Sequence, residues 1–305
     1  MRLQHDHVRS KEKAAVIGVL ITAFAFCTVL VPSLAFAGMI LGAELRFTYE
    51  DNVVGLLSDQ QGARGGGSTS GPMMNVQAAM GGMGGGSGRY MGSGSGSTRS
   101  PGDFYATLAA EAGGYTEVGS DTALFAKAFA NHSSYNTYTA LDATIGGLSA
   151  GINTVLNDSV SARLSALGKI KRFGDSERNS TAYAANFGLK EKLTPVWWVR
   201  EFAEYEKNSA DVSLFSYTGA TIGIGTGYGL TKSTTLALAY SYLEQRFEDP
   251  SGGSIRTQTA SLSAEHTLMR TWSVGVEYNH QVSQVSISGT SNADNILSLA
   301  LRYSY

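Results

Sequence analysis

The sequence predicts an all-β protein, a transmembrane antiparallel up-and-down β-barrel of about 12 strands with one long Gly/Met/Ser-rich outer loop. Three observations predict it. The last nine residues, Leu297 to Tyr305, alternate apolar or aromatic (Leu297, Leu299, Leu301, Tyr303, Tyr305) with small or charged (Ser298, Ala300, Arg302, Ser304). Side chains on a strand alternate with period two, so one face suits hydrocarbon and the other water. The first strand candidate, about 40–50, alternates as cleanly, with Leu41, Ala43, Leu45, Phe47 and Tyr49 against Glu44, Arg46, Thr48 and Glu50. Charged residues make up only 16% of the chain, against about a quarter in a soluble domain.

The N-terminus agrees. Arg2, Arg9, Lys11 and Lys13 precede an apolar run from Ala14 to Val31, and Ala35-Phe36-Ala37 forms an A-x-A cleavage site before Gly38. Residues 1–37 therefore read as a cleaved signal peptide and 38–305 as the mature barrel. Cys27, the single cysteine, is removed with it, which excludes disulfide and thiolate chemistry. The full chain has 23 basic and 25 acidic residues; the leader carries four and two of them, leaving 19 and 23. That mild acidity gives no support for nucleic-acid binding, and no nucleic-acid partner is expected. Beyond the leader no apolar run is long enough for a membrane helix, so spanning requires a closed barrel.

After strand 40–50 comes a long break, 51–102, followed by segments near 104–117, 122–132, 138–153, 158–173, 179–190, 195–208, 214–229, 234–247, 255–267, 271–287 and 294–305. An even count puts both ends of the mature chain on one side, the periplasm for this class. The connections 118–121, 154–157, 191–194, 230–233 and 268–270 then become tight periplasmic turns. Segments 174–178, 209–213, 248–254 and 288–293 become outer loops, all rich in the Gly, Ser, Asp and Asn that turns use. Faces assign themselves in most strands. Ala162, Leu164, Ala166, Gly168 and Ile170 oppose Arg163, Ser165, Lys169 and Lys171; Trp272, Val274, Val276 and Tyr278 oppose Ser273, Gly275, Glu277 and Asn279. Strand 122–132 stays ambiguous, with Leu124, Ala126 and Ala128 against Phe125, Lys127 and Phe129. Glu201 is placed outside, near an interface, where a charge costs little. Trp197, Trp272, Tyr228 and Tyr240 fall on the presumed outer face; the first three suit an interfacial belt.

The expected lumen-lining residues are Glu44, Arg46, Glu50, Glu111, Asp142, Arg163, Lys169, Lys171, Arg200, Glu204, Glu265, Glu277 and Arg302. Such charges either set the solute preference of a pore or pair across the lumen and close it. Segment 61–102 holds 15 of the 37 glycines and five of the eight methionines, with Arg64, Arg89 and Arg99 and no acid. It cannot bury enough apolar surface to fold alone. As an outer loop it would stay disordered, plug the lumen, or lie on anionic lipopolysaccharide. Gly223, Gly225, Gly227 and Gly229 alternate on one face without a following helix, so they form no nucleotide loop; they invite close approach by another backbone or loop, the first outer loop among them. No metal-ligand set and no cofactor motif is present.

Three resemblances add expectations. Leu301, Tyr303 and Tyr305 resemble the C-terminal signal read by the outer-membrane barrel-insertion machinery, with Tyr305 where Phe is commoner. Leu45-Arg46-Phe47-Thr48-Tyr49-Glu50-Asp51-Asn52-Val53, and later Arg178-Asn179-Ser180-Thr181, are similar to outer-membrane β-barrel porins. That resemblance implies an outer-membrane barrel in contact with lipid and lipopolysaccharide, and a passive pore for small solutes. Asn131-His132-Ser133-Ser134 resembles the H-x-S motif of outer-membrane lipid hydrolases, which would make His132 the base, Ser134 the nucleophile and Asn136 or Asp142 the orienting partner; Tyr135 follows the serine where those families carry Asn. A structural or surface-interaction barrel without transport is the remaining class.

Overall fold

The structure, a computed structural model, describes residues 38–52, 102–249, 253–286 and 291–305. The signal-peptide expectation for 1–37 and most of the long loop, 53–101, lie outside the described residues. The strands are β1 (Gly38–Glu50), β2 (Asp103–Glu117), β3 (Thr122–Tyr135), β4 (Ala143–Val155), β5 (Val160–Phe173), β6 (Ser180–Lys192), β7 (Trp197–Ala210), β8 (Tyr217–Gly229), β9 (Thr234–Phe247), β10 (Ser254–Met269), β11 (Trp272–Val285) and β12 (Ser291–Ser304). Each pairs antiparallel with its sequence neighbours, and β1 pairs with β12, so the twelve strands close a barrel. Closure removes every sheet edge, the condition for backbone to sit in lipid.

Strand boundaries differ from the sequence reading by up to five residues, most at the fourth strand. Residues 138–142, read as the start of the fourth strand, instead make a loop with a short 3-10 turn at Thr139–Leu141. The reason is Asp142, whose carboxylate accepts from the backbone N–H of Tyr135 at 2.7 Å and ties the loop back onto β3. Likewise 213–215 is a 3-10 turn, so β8 begins at Tyr217.

Burial alternates along the strands, and the apolar face is the exposed one. Phe47, Leu108, Leu148, Leu164, Tyr183, Ile222, Leu238, Leu262 and Leu299 all stand exposed on the outside, as a lipid-facing surface requires. Trp197, Tyr228 and Trp272 are exposed close to the short-turn end, where aromatic rings suit a membrane interface. Tyr240 is exposed too, at mid-strand, and donates to Gln258 Oε1 at 2.9 Å. The third strand resolves. Leu124 is 44% exposed and Phe125 5%, so Phe125, Lys127 and Phe129 point inward. Phe129 and Phe125 face Gly147 and Gly151 of β4 directly across the pairing, and Lys127 reaches Glu111.

The seam between β1 and β12 runs from Gly42–Ser304 to Glu50–Ile296. It is fastened beyond both ends. At the short-turn end the Tyr305 N–H donates to Leu41 O at 3.0 Å. At the loop end Asp51 accepts from both the backbone and the side-chain nitrogen of Asn295, each at 2.7 Å, and Asn52 Nδ2 donates to Ala293 O at 2.9 Å. Tyr278 and His280 of β11 converge on Asn295 Oδ1 at 2.7 and 2.9 Å. The acid-Asp-Asn run that ends β1 thus has a structural job: it clips the first strand to the last.

Candidate functional site: a charge-divided lumen

The same period-two rule that turns apolar residues outward turns every lumen charge inward, so the barrel order decides which charges meet. On β10, β11, β12, β1 and β2 the buried and half-buried inward positions hold Glu265, Glu277, Asp294, Arg302, Glu44, Arg46, Glu50, Asp103 and Glu111: seven carboxylates against two guanidiniums. On β3, β5, β6 and β7 they hold Lys127, Arg163, Lys169, Lys171, Lys190, Arg200, Glu204 and Glu206: six cations against two carboxylates. The inward positions of β8 and β9 carry no charge. The described lumen therefore has an acidic wall, a basic wall and a neutral sector.

The acidic wall is cross-linked. Glu44 accepts from Arg46 Nε at 2.8 Å through one oxygen and from Arg302 Nε at 2.6 Å through the other. Arg46 reaches on to Glu277 at 3.0 Å, and Arg302 to Glu265 at 2.7 Å. Glu277 also accepts from Asn279 Nδ2 at 3.0 Å, and Asn279 from the Ser261 hydroxyl. This chain spans β10 to β1 across the seam. Beside it lies a cavity of about 70 Å³ bordered by Arg46, Trp198, Ser261, Glu265, Glu277 and Arg302, room for several waters.

The basic wall is organised differently. Glu206 takes both Lys169 and Lys171, the latter at 2.8 Å, and Tyr217 donates to the same carboxylate at 2.6 Å. Lys127 pairs with Glu111 of β2 at 2.8 Å, joining the two walls at one border. Arg163 stacks on Phe125, 4.1 Å from its ring centroid, and Lys190 lies 5.0 Å from the Trp198 ring. A second cavity, of about 20 Å³, is bordered by Arg163, Ser165, Asn186, Arg200, Phe202 and Glu204.

Of the predicted lumen residues, Asp142 is the one on no strand; it sits in the β3–β4 loop, bonded to Tyr135. The others lie at inward positions. The sequence reading passed over Asp103, Lys127, Lys190, Glu206 and Asp294. Glu206 had a signal, since it continues the even-numbered series Arg200, Glu204 on β7. Two of the glycines of β8 are covered by rings rather than backbone: a Cβ added at Gly223 would enter the Phe202 ring, and one at Gly227 the Trp198 ring, while Gly225 has the Leu238 carbonyl beside it and Gly229 those of Val196 and Thr231. Both rings come from directly paired positions on β7. His132 and Ser134 share the outward face of β3, where His132 Nδ1 lies 2.9 Å from the Thr144 hydroxyl. Thr144 comes from the paired strand β4.

No protein-family model matches the chain, and no curated protein matches it. Solved structures do. An outer-membrane channel from Pseudomonas putida F1 aligns with a TM-score of 0.56 and 10% identity over 89% of this chain and 97% of that one. This chain has the fold of an outer-membrane channel. The KdgM porin in complex with disordered oligogalacturonate aligns at 0.46 and 9% identity, over 87% and 99% of the two chains. The outer-membrane channel DcaP of Acinetobacter baumannii aligns at 0.41 and 13%, over 88% and 97%. A closed barrel of this fold, apolar outside and charged inside, belongs in an outer membrane.

Proposed function

We propose that the protein is a passive channel for small hydrophilic solutes or ions, with segment 51–102 restricting passage. The observation that carries this reading is the charge-divided lumen. A barrel needing only to be stable is served by neutral packing or by closed ion pairs, because buried charge is costly unless fully paired. Here six cations face two carboxylates on one wall. A surplus of one sign along an aqueous path is what sets solute preference in pores. The Pseudomonas putida F1 structure that shares the fold is an outer-membrane channel, which agrees with the reading. The restriction by 51–102 is supported by its attachment: Glu50 and Asp103, at its two ends, pair across β1 and β2 at the loop-end rim of the lumen.

The test is single-channel recording in planar bilayers. Stepwise conductance is expected, rising when residues 61–102 are removed. Absence of conductance from both forms sinks the channel. Unchanged conductance on removal sinks the restriction alone. A second reading, a lipid hydrolase, is favoured by one contact, the Thr144 hydroxyl on His132 Nδ1, which could orient the ring on the lipid-facing side. It requires fatty-acid release from detergent-dispersed lipid that Ser134→Ala abolishes.

A further inference from the structure

Arg46 uses two of its three guanidinium nitrogens beside the seam, Nε on Glu44 and Nη1 on Glu277. The third, Nη2, is buried and has no hydrogen-bond partner among the described residues. Reaching Glu277 on β11 carries this guanidinium from β1 across β12, where its paired residue is Ala300. There it borders the 70 Å³ cavity. Ala300 and Gly275, paired across β12 and β11, add almost no side chain to that edge. The far wall has another character. Gly225 of β8 and Ala237 and Ala239 of β9 border the cavity with little or no side chain. Trp198 of β7 borders it as well; its ring lies where a Cβ at Gly227 would stand, and Gly227 pairs with Ala237. The cavity thus has one ionic edge and one flat apolar edge. Charge on the ionic edge balances, with Arg46 paired to Glu277 and Arg302 to Glu265.

We propose that this cavity is a lumen subsite for a small uncharged solute of the amide class, its carbonyl oxygen on Arg46 Nη2 and its apolar face on Trp198. A buried donor without an acceptor is costly, so a guest that brings one is favoured. A guanidinium only donates, which calls for an oxygen. Two guanidiniums against two carboxylates give an ion of either sign no net attraction, while entry would strip its water. The apolar edge adds burial of a flat face. The Ser261 and Ser263 hydroxyls also border the cavity, within the reach of amide N–H groups. The volume takes about five to seven waters, or a guest of about that many heavy atoms. The proposal deepens the channel reading by naming a neutral solute class, and it rests on that reading only for its role in passage.

The test measures binding and passage separately. Trifluoroacetamide is the binding probe: its fluorine line width is followed for the folded full-length mature barrel in uncharged detergent. Trifluoroacetate and trifluoroethylammonium are its anionic and cationic counterparts of the same size. The wild type is expected to broaden the amide line saturably, with acetamide reversing it, and to bind both ions at least about tenfold more weakly. Ala239→Leu fills the cavity and is expected to abolish the broadening. Arg46→Lys keeps the charge but removes Nη2, and is expected to weaken amide binding about tenfold. Glu265→Gln leaves two guanidiniums against one carboxylate, so it is expected to strengthen trifluoroacetate binding, a gain that misfolding cannot imitate. Absence of saturable broadening in the wild type overturns the subsite, as does equal broadening in the wild type and Ala239→Leu. Binding of either ion as tight as that of the amide overturns the assignment to neutral solutes. Bilayer recording then separates the two ideas. Conductance without amide broadening removes the subsite and leaves the channel; amide binding without conductance leaves the subsite and removes the channel.

Discussion

The acidic wall links its strands through a chain of ion pairs. Glu44 holds two guanidiniums, and each guanidinium holds a second carboxylate on a neighbouring strand. On the basic wall one carboxylate, Glu206, serves two lysines, while Arg163 stacks on Phe125 and Arg200 leans over Gly188. The difference teaches that charge in this lumen does two kinds of work. Beside the seam it binds strands to one another. Opposite, it leaves positive potential facing whatever enters. Strand pairing at the seam joins the two ends of the chain, so a network there stabilises the closure that no hairpin turn can supply.

Substitutions test that contrast. The largest effect is expected from Glu44→Gln, because one buried carboxylate faces two arginines. Removing one partner of a buried ion pair costs about 3–5 kcal/mol, and the second acids at Glu277 and Glu265 keep the loss near the lower end. Denaturant unfolding in detergent, followed by the heat-dependent gel shift of folded barrels, measures it. A loss under about 1 kcal/mol would mean that the chain of ion pairs does not hold the seam.

Glu206→Gln comes next. It strips the shared acid from Lys169 and Lys171, so stability should fall by about 2 kcal/mol and bilayer reversal potentials should move toward anions. A move toward cations would break the division into two walls.

Gly223→Leu probes the neutral sector. The added side chain meets the Phe202 ring, and overpacking costs about 1–3 kcal/mol. Leu at Gly223 combined with Phe202→Ala should recover most of that loss in the same unfolding assay; failure to recover would show that the ring is not what the glycine accommodates.

The smallest effect is expected from Asn295→Ala. It removes the side-chain contacts to Asp51, Tyr278 and His280 but keeps the backbone bond, and at this exposed rim the loss is about 1 kcal/mol. Hydrogen exchange should quicken at Asp51 and Asn295 and stay unchanged at Leu41 and Tyr305.

How much of this could be read from the sequence divides along physical lines. Faces were legible because period two needs no knowledge of neighbours: Leu41 to Tyr49 and Leu297 to Tyr305 announce their outer faces unaided. The strand order was legible because short connections leave antiparallel neighbours little alternative. Asp142 was misplaced because a residue that caps a loop and one that lines a strand read alike until the Tyr135 N–H is known to need a partner. The cover over Gly223 and Gly227 was missed because it depends on cross-strand register, which places Phe202 and Trp198 opposite them. The two walls were half legible. Acids sit toward the ends of the mature chain and bases toward its middle third, but only closure of β1 on β12 makes those ends one surface.

That closure also sets an order of events. Ten of the barrel's strand pairings lie across turns or short connections, while the β1–β2 pairing spans the long break and the seam must bring Glu44 and Arg302 together across 258 residues. Loop-closure entropy grows by about 0.6 kcal/mol per doubling of length, so uniting the termini costs roughly 4 kcal/mol more than forming a tight hairpin. The hairpins can therefore accumulate as a growing, curved ribbon whose two free edges wait for each other. Until they meet, the backbone groups of both strands lack the partners that lipid demands. The last interaction to form is then the first strand's reading of the last, and an assisted, sheltered edge is the state that any insertion apparatus would have to hold.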